Sequence, residues 1–586
     1  IKTQDLQLKN LIASDRGFLI SGDFEQLATS YPDLINLLPN LLGKQLPTFL
    51  ERLGQVDLKG NNRISDRKID IDSKIKTDLG NLNLDADFFN YTDQNKVNYN
   101  GHINIKNFNV GKLLSQKNLG LTKGIIDING IGFNTNSLNT AINGKIAKIN
   151  FNDYDYSNIS LNGNLKHPVF DGSVTSKDEN FNFEFNGLVD VSKSLNQYKF
   201  ETSINYADLH AINWVKRDTL SIFKGKIDVD LKGTTLNDVA GNIALKNVSY
   251  ENQTEKYAFD QLSINSKFEN DKRRIDINSE DVISGYIEGI FKIEELPEVF
   301  QQSIENLYFN KKPYKDKNFR YVDFNISIKN KIVDVLFPDV KIKPNTFISG
   351  SIVKDSNIFK FRFNSPEIDI VENKIQNVDF QIDNTNPLYN TYIKVDSIAS
   401  PTYPVSELSL INKNINDTLY FRTEFKGGKA NNDNVNLSLY QTNQGDDAII
   451  GFQNSKVKFK NTTWQLNPNN NENNRVVFDR SFSKFRFDSI AMRYQDEKVS
   501  LVGEVRDSTY KDITLGLENV RLRRITPDID SLKMNGIVNG KAKIFQEKGL
   551  YAPNMQIKVD SFKMNQTRFG ELNLFADGDE AFRDFT

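Results

Sequence analysis

The stretch Lys226-Ile-Asp-Val-Asp-Leu-Lys232 decides how the rest of the chain reads. Successive side chains of an extended chain point to opposite faces, so Ile227, Val229 and Leu231 share one face and the charged residues share the other. The same alternation returns in Phe359, Phe361 and Phe363, spaced by Lys360 and Arg362, and in Val378, Phe380 and Ile382, spaced by Asp379 and Gln381. It recurs at Phe181, Phe183 and Phe185, at Val322, Phe324, Ile326 and Ile328, at Val435, Leu437 and Leu439, and at Val499, Leu501 and Val505. Each run is about five to eight residues long. Strands with one apolar and one wet face belong to antiparallel sheets, and the uninterrupted apolar strands of doubly wound folds are missing. The pattern predicts a mainly β chain built on a long, twisted, predominantly antiparallel sheet.

The pairs Asn129-Gly130, Asn143-Gly144, Asn162-Gly163, Asp171-Gly172, Asn186-Gly187, Asn535-Gly536 and Asn539-Gly540 read as tight hairpin turns or strand-end bends. Helical spacing is confined to three stretches. In Tyr31 to Gly54 it is carried by Leu34, Leu37, Leu38, Leu41, Leu42, Leu46, Phe49, Leu50 and Leu53, with Pro39 and Pro47 dividing it into short amphipathic pieces. The others are residues 296–309 and a shorter one at 209–220. Gly124-Ile-Ile-Asp-Ile-Asn-Gly130 is similar to Gly225-Lys-Ile-Asp-Val-Asp-Leu-Lys-Gly233, and Gly536-Ile-Val-Asn-Gly-Lys-Ala-Lys-Ile544 reads as a shortened third copy. Such repetition points to stacked units, and no Pro/Ser-rich linker separates the copies. Residues 1–586 are therefore expected to form one continuous repetitive segment.

With 26% charged and 38% hydrophobic residues, the chain has the composition of a folded protein rather than a disordered one. A net charge of −2, without a basic stretch interleaved with aromatics, leaves no electrostatic footprint for nucleic acid. The absence of cysteine excludes disulfides, thiol nucleophiles, iron–sulfur clusters and cysteine-bound zinc. No apolar run approaches the ~20 residues of a membrane-spanning helix, and no signal peptide is visible. The chain is expected to be an internal piece of a longer protein that carries its anchor and export signal elsewhere.

Chemistry finds little to build on. His102, His167 and His210 are far apart, without marked partners for a triad or a metal. There is no phosphate-cradling glycine loop, and most carboxylates alternate onto the wet faces of strands. No enzyme activity, metal or cofactor is expected. The apolar strand faces remain. Two of them could meet about 10 Å apart as the dry core of a β-sandwich adhesin or scaffold. Alternatively, one curled sheet would leave its face lined but unfilled, as a groove for acyl chains. The residues alone leave both open. The candidate lining is Ile227, Val229, Leu231, Phe359, Phe361, Phe363, Val378, Phe380 and Ile382.

Three stretches carry a family resemblance. Gly17-Phe-Leu-Ile-Ser-Gly22 is followed by the Leu-rich, proline-broken segment ending in Leu53-Gly-Gln-Val-Asp-Leu-Lys-Gly60. Leu161-Asn-Gly-Asn-Leu-Lys-His-Pro-Val-Phe-Asp-Gly172 and the span from Ile450-Gly-Phe-Gln-Asn-Ser455 to Trp464-Gln-Leu-Asn467 are the others. Together they resemble the TamB family of AsmA-like, bridge-type lipid transfer proteins. The resemblance implies an elongated, taco-shaped groove in the periplasm of a diderm bacterium, anchored in the inner membrane by a segment absent here. It implies phospholipid acyl chains as cargo, and an outer-membrane barrel of the TamA/BamA type as partner, contacted outside this segment. Assembly of outer-membrane proteins is the other role associated with the family. No catalytic residue carries over.

Overall fold

The computed structural model describes residues 2–9, 17–37, 48–134, 136–166, 168–192, 195–309, 319–329, 335, 340–416, 418–445, 447–479, 481–526, 532–548 and 550–578. The protein is mainly β, with 69% strand against 7% helix. Its 37 described strands belong to one sheet, and each described pairing is antiparallel. Strands adjacent in sequence mostly pair with each other, as Gln197–Asp208 does with Ser221–Lys232, and that strand with Ala240–Asn252. The chain packs as two compact units, Ile1–Ile283 and Ser284–Thr586.

Many strands are longer than the alternating apolar runs suggest; Ser221–Lys232 has 12 residues and Lys256–Glu269 has 14. One reason is a misread signal. The seven Asn-Gly and Asp-Gly pairs named above lie inside strands rather than at turns. The first residue of each pair faces water, and the glycine continues the apolar face. Gly163, Gly172 and Gly187 stand directly opposite one another on three neighbouring strands. A Cβ on Gly172 would sit 2.4 Å from the Asn162 carbonyl oxygen, and one on Gly187 (φ +150°) would sit 2.5 Å from the Phe200 Cβ. Rings border this glycine row, with Phe185 and Phe200 centroids 5.1 Å apart and Phe170 and Phe185 6.4 Å apart. Although Gly445 (φ +64°) stands at one hairpin tip, several others place asparagine or aspartate in the turn. One example is Asn152-Asp153, with φ of +52° and +61°, the left-handed pair that a two-residue turn requires.

A second device re-phases the strands. Ile105-Lys-Asn-Phe108, Leu245-Lys-Asn-Val248, Ile375-Gln-Asn-Val378 and Leu517-Glu-Asn-Val520 each hold the asparagine at a φ between +49° and +54°. Asn107 and Asn519 fall where the register shifts, and Asn247 and Asn377 fall at gaps in the pairing. The extra residue of such a bulge turns the chain so that two apolar residues three apart share a face. Accordingly Ile105 and Phe108 join one buried cluster, Ile375 and Val378 another, and Leu517 and Val520 a third.

Of the stretches with helical spacing, the first holds helix α1 (Tyr31–Leu37) and a 3-10 turn at Thr48–Leu53; residues 38–47, including Pro39 and Pro47, lie outside the described residues. A one-turn helix α2 (Val110–Leu114) was not foreseen. The best-formed helix is α3 (Leu296–Phe309), entered through a 3-10 turn at Ile293–Glu295. The helix expected at 209–220 is absent: these residues form turns. Asp208 caps the bend by accepting from the backbone N–H groups of His210 and Ala211, and the N–H groups of Trp214 and Val215 both return to the Leu209 carbonyl. Two N–H groups converging on one carbonyl close a loop, so no helical ladder propagates.

Candidate functional site

In the first unit the apolar face is assembled from rows of residues standing opposite one another across the strands. Val229 lies between Phe200 and Ile243, Ile227 between Thr202 and Leu245, and Leu231 between Tyr198 and Gly241. The row through Val229 continues to Ile264 and Ile277 on one side. On the other it runs through Gly187, Gly172 and Gly163 to Ile142 and Ile128. Because the side-chain period is two, this register places the intervening Lys226, Asp228 and Asp230 on the wet face.

Burial divides this face. Ile227, Val229 and Leu231 are half-buried, as are Phe185, Phe200, Ile243, Leu245 and Ile264. Two buried clusters described in this unit lie toward the strand ends, while mid-strand Ile146 is also buried, at 8% exposure. Tyr91, Val97 and Tyr99 pack with Phe88 and Phe133 at one end. Leu79, Ile105 and Phe108 pack with Leu53, Val110 and Leu113, from the 3-10 turn and α2, at the other. Among the described residues of the unit, neither a helix nor a second sheet covers the mid-strand rows.

The second unit holds the other six candidates on one surface. Phe361 stands opposite Ile382, and Phe363 opposite Phe380; Val378 lies opposite Ser365. Phe359 and Ile382 are each 3% exposed, and Val378 is 8% exposed. Phe359 and Phe361 are not an open face, because α3 lies over them. The Phe300 ring meets Phe359 and Phe361 edge-on, with centroids 5.5 and 5.1 Å apart. Farther along, the Tyr308 hydroxyl bonds the Thr391 hydroxyl at 2.6 Å, and Gln441 Nε2 donates to the Tyr308 carbonyl at 3.2 Å. Sequence reasoning identified both the helix and the phenylalanines but not their contact. Period-two and helical patterns each reveal an apolar stripe without saying what it meets.

A further region of the same unit is a conventional core. Trp464, 1% exposed, clusters with Val520, Val538 and Val559. Beside it the buried Glu497 carboxylate accepts from the Arg521 backbone N–H at 3.0 Å and from Arg521 Nη1 at 2.6 Å, and also pairs with Arg524. The Arg524 guanidinium lies 4.5 Å over the Tyr494 ring.

The two described histidines lie in different places. His102 sits on the wet face with its Nδ1 2.6 Å from Asp127, His210 lies in the 209–215 turn, and His167 is outside the described residues. Among the described residues no cluster of His, Asp or Glu could hold a metal ion. A concavity of about 850 Å³ is on the wet face of the first unit and is lined by Asp23, Lys59, Asp72, Asp85 and His102, among others. Among the described residues, no helix is long and apolar enough to cross a membrane. No protein-family profile and no curated protein matches the chain.

Proposed function

We propose that the apolar face of the first unit holds phospholipid acyl chains, and that the protein is a hydrophobic conduit moving phospholipids between inner and outer membrane in support of outer-membrane biogenesis. The observation that supports this reading is the division of burial within that face. A dry core buries its central residues most. Here the rows through Ile227, Val229 and Leu231 keep solvent access while the described clusters pack toward the ends. The half-buried surface is apolar across at least eight neighbouring strands, with no charged residue in the row through Val229.

Such a face needs no chemistry to act. Burying an acyl chain recovers about 0.8 kcal/mol per methylene, on the order of 10 kcal/mol for a chain of typical membrane length before ordering costs. Rows repeating every strand make neighbouring positions nearly equal in energy, so a chain can slide. Headgroups would remain at the open lip of the face, in water. The periplasmic setting, and a barrel of the TamA/BamA type as partner, rest on the TamB resemblance.

The test is mass spectrometry of lipids bound to the purified chain, together with a photo-crosslinking residue at Val229. Phospholipid attached at Val229 is the expected result. Capture of protein side chains alone, from a correctly folded chain, would favour the dry-core scaffold.

A further inference from the structure

We propose that α3 is a resident plug: it occupies the acyl-binding face of the second unit, and helix and acyl chain exclude each other there. This rests on the conduit reading of the apolar face, and deepens it by giving one unit a built-in competitor for the cargo.

The placement of α3 carries the argument. A helix resting on a flat sheet keeps one face in water. From Gln302 to Tyr308 no residue of α3 is exposed, and Val299 is 3% exposed, so the surrounding unit encloses the helix on several sides. Tyr308 alone binds two strands, through Thr391 and Gln441, that have two further strands between them. In a flat sheet those strands stand roughly 14 Å apart. Within its own unit the helix therefore covers an apolar face of the kind that stays uncovered in the first.

What it presents there has two parts. Phe300 and Val299 supply apolar contact, which an acyl chain could supply equally. Tyr308 supplies hydrogen bonds, which an acyl chain could not. Thr391 and Gln441 are polar residues 2% and 7% exposed on this surface, and both hydrogen-bond α3. Between them Asn412, opposite Thr391 and 2% exposed, keeps a side-chain oxygen with no hydrogen-bond partner. The floor is thus matched to the helix at two points and mismatched at a third. Polar anchors fix the plug in place. A cavity of about 310 Å³ also runs along its flank, bounded by Val299, Ser303, Leu307, Phe359 and Lys413. A ligand shifts such an equilibrium only by its differential affinity for the two states. The lipid binds the open state alone, and the anchors set how much lipid is needed.

The chain has no cysteine, so thiols can be placed without background. In the full chain, Phe300→Cys and Phe361→Cys joined by a short bis-maleimide lock the helix down, whereas Tyr308→Phe with Gln441→Leu removes its anchors. Photo-crosslinking residues at Phe380 and, separately, at Val229 report capture from vesicles of phosphatidylethanolamine and phosphatidylglycerol. Capture at Phe380 is expected to rise at least threefold in the anchor variant and to fall to background in the locked chain, with capture at Val229 unchanged in both. Equal capture at Phe380 in locked and unlocked chains, with capture at Val229 intact, overturns the plug while leaving the conduit standing. Absence of capture at both positions overturns the conduit reading, and the plug with it. If the anchor variant unfolds, the locked and unlocked chains still decide, because the lock preserves every anchor.

Discussion

Among single residues Asp178 departs furthest from what the sequence leads one to expect. Most carboxylates of this chain alternate onto wet faces, yet Asp178 is 3% exposed. It accepts from the Tyr154 hydroxyl at 2.7 Å, from the Ser157 hydroxyl and backbone N–H at 2.7 and 2.8 Å, and from the Asn180 backbone N–H at 2.9 Å. Burial pushes its pKa up, but these hydrogen bonds outweigh burial and hold the carboxyl below its ordinary value of 3.8. The same contact and burial push the Tyr154 hydroxyl up to about 12. A carboxyl whose pKa is lower in the folded chain stabilises it fully above the unfolded value, and that contribution is lost as pH falls through the folded one. Asp178→Asn is therefore expected to cost about 1–3 kcal/mol near pH 7, by putting an amide donor among donors. The gap between variant and parent should begin to narrow below about pH 4 and go on narrowing as pH falls through the folded value. Urea unfolding at pH 7 and pH 3.5 measures both, and a gap that widens on acidification contradicts the assignment. Nothing in the sequence marks this residue, because Asp-x-Asn is equally the pattern of a solvated turn.

At the level of the strand, one-sided alternation was legible and its phase was not. Reading Phe359, Phe361 and Phe363 as one face is correct because no bulge interrupts them. Across Ile105 to Phe108 the same rule sends Phe108 to the wrong side, since Asn107 inserts a left-handed residue that period-two counting has no place for. The signal was present as apolar-x-Asn-apolar, repeated in strands far apart. Asn-Gly failed for the converse reason: a turn dipeptide is also what a strand shows when its wet side is asparagine and its apolar side must admit a ring. The bulges make a sharp prediction. Asn519, at φ +54°, should accept glycine within a few tenths of a kcal/mol, whereas Asn519→Val should cost about 1–2 kcal/mol, because a β-branched side chain clashes with its own backbone in that conformation. Val520 is fully buried beside Trp464, so near-ultraviolet circular dichroism of the indole can follow the disturbance. Equal stability of the glycine and valine variants would mean that the strand can be re-phased at no cost, and that the bulge is incidental.

For the molecule as a whole, the sequence identified the apolar surface but could not say where it is covered. Ile227, Val229 and Leu231 on one side, and Phe359, Phe361 and Phe363 on the other, look alike as strings, and what separates them is α3, which is distant in sequence from the strands it covers. The two groups should therefore respond oppositely to the same charge. Val229 is half-buried with solvent beside it, so Val229→Asp keeps its carboxylate hydrated and is expected to change stability by no more than about 1 kcal/mol. Phe359 is 3% exposed beneath Phe300, so Phe359→Asp removes a buried ring and strands a carboxylate without a cation, which should cost about 4 kcal/mol or more. On the conduit reading the milder substitution is the more damaging to function: a charge in the row of Phe200, Val229 and Ile243 stands across the acyl path, so bound phospholipid should fall several-fold while the melting temperature holds. Calorimetry and lipid mass spectrometry on the same two preparations separate the possibilities. If Val229→Asp unfolds the chain as Phe359→Asp does, the first unit is a dry core like the Trp464 region of the second. If it folds normally and retains its lipid, the acyl path does not run along this row.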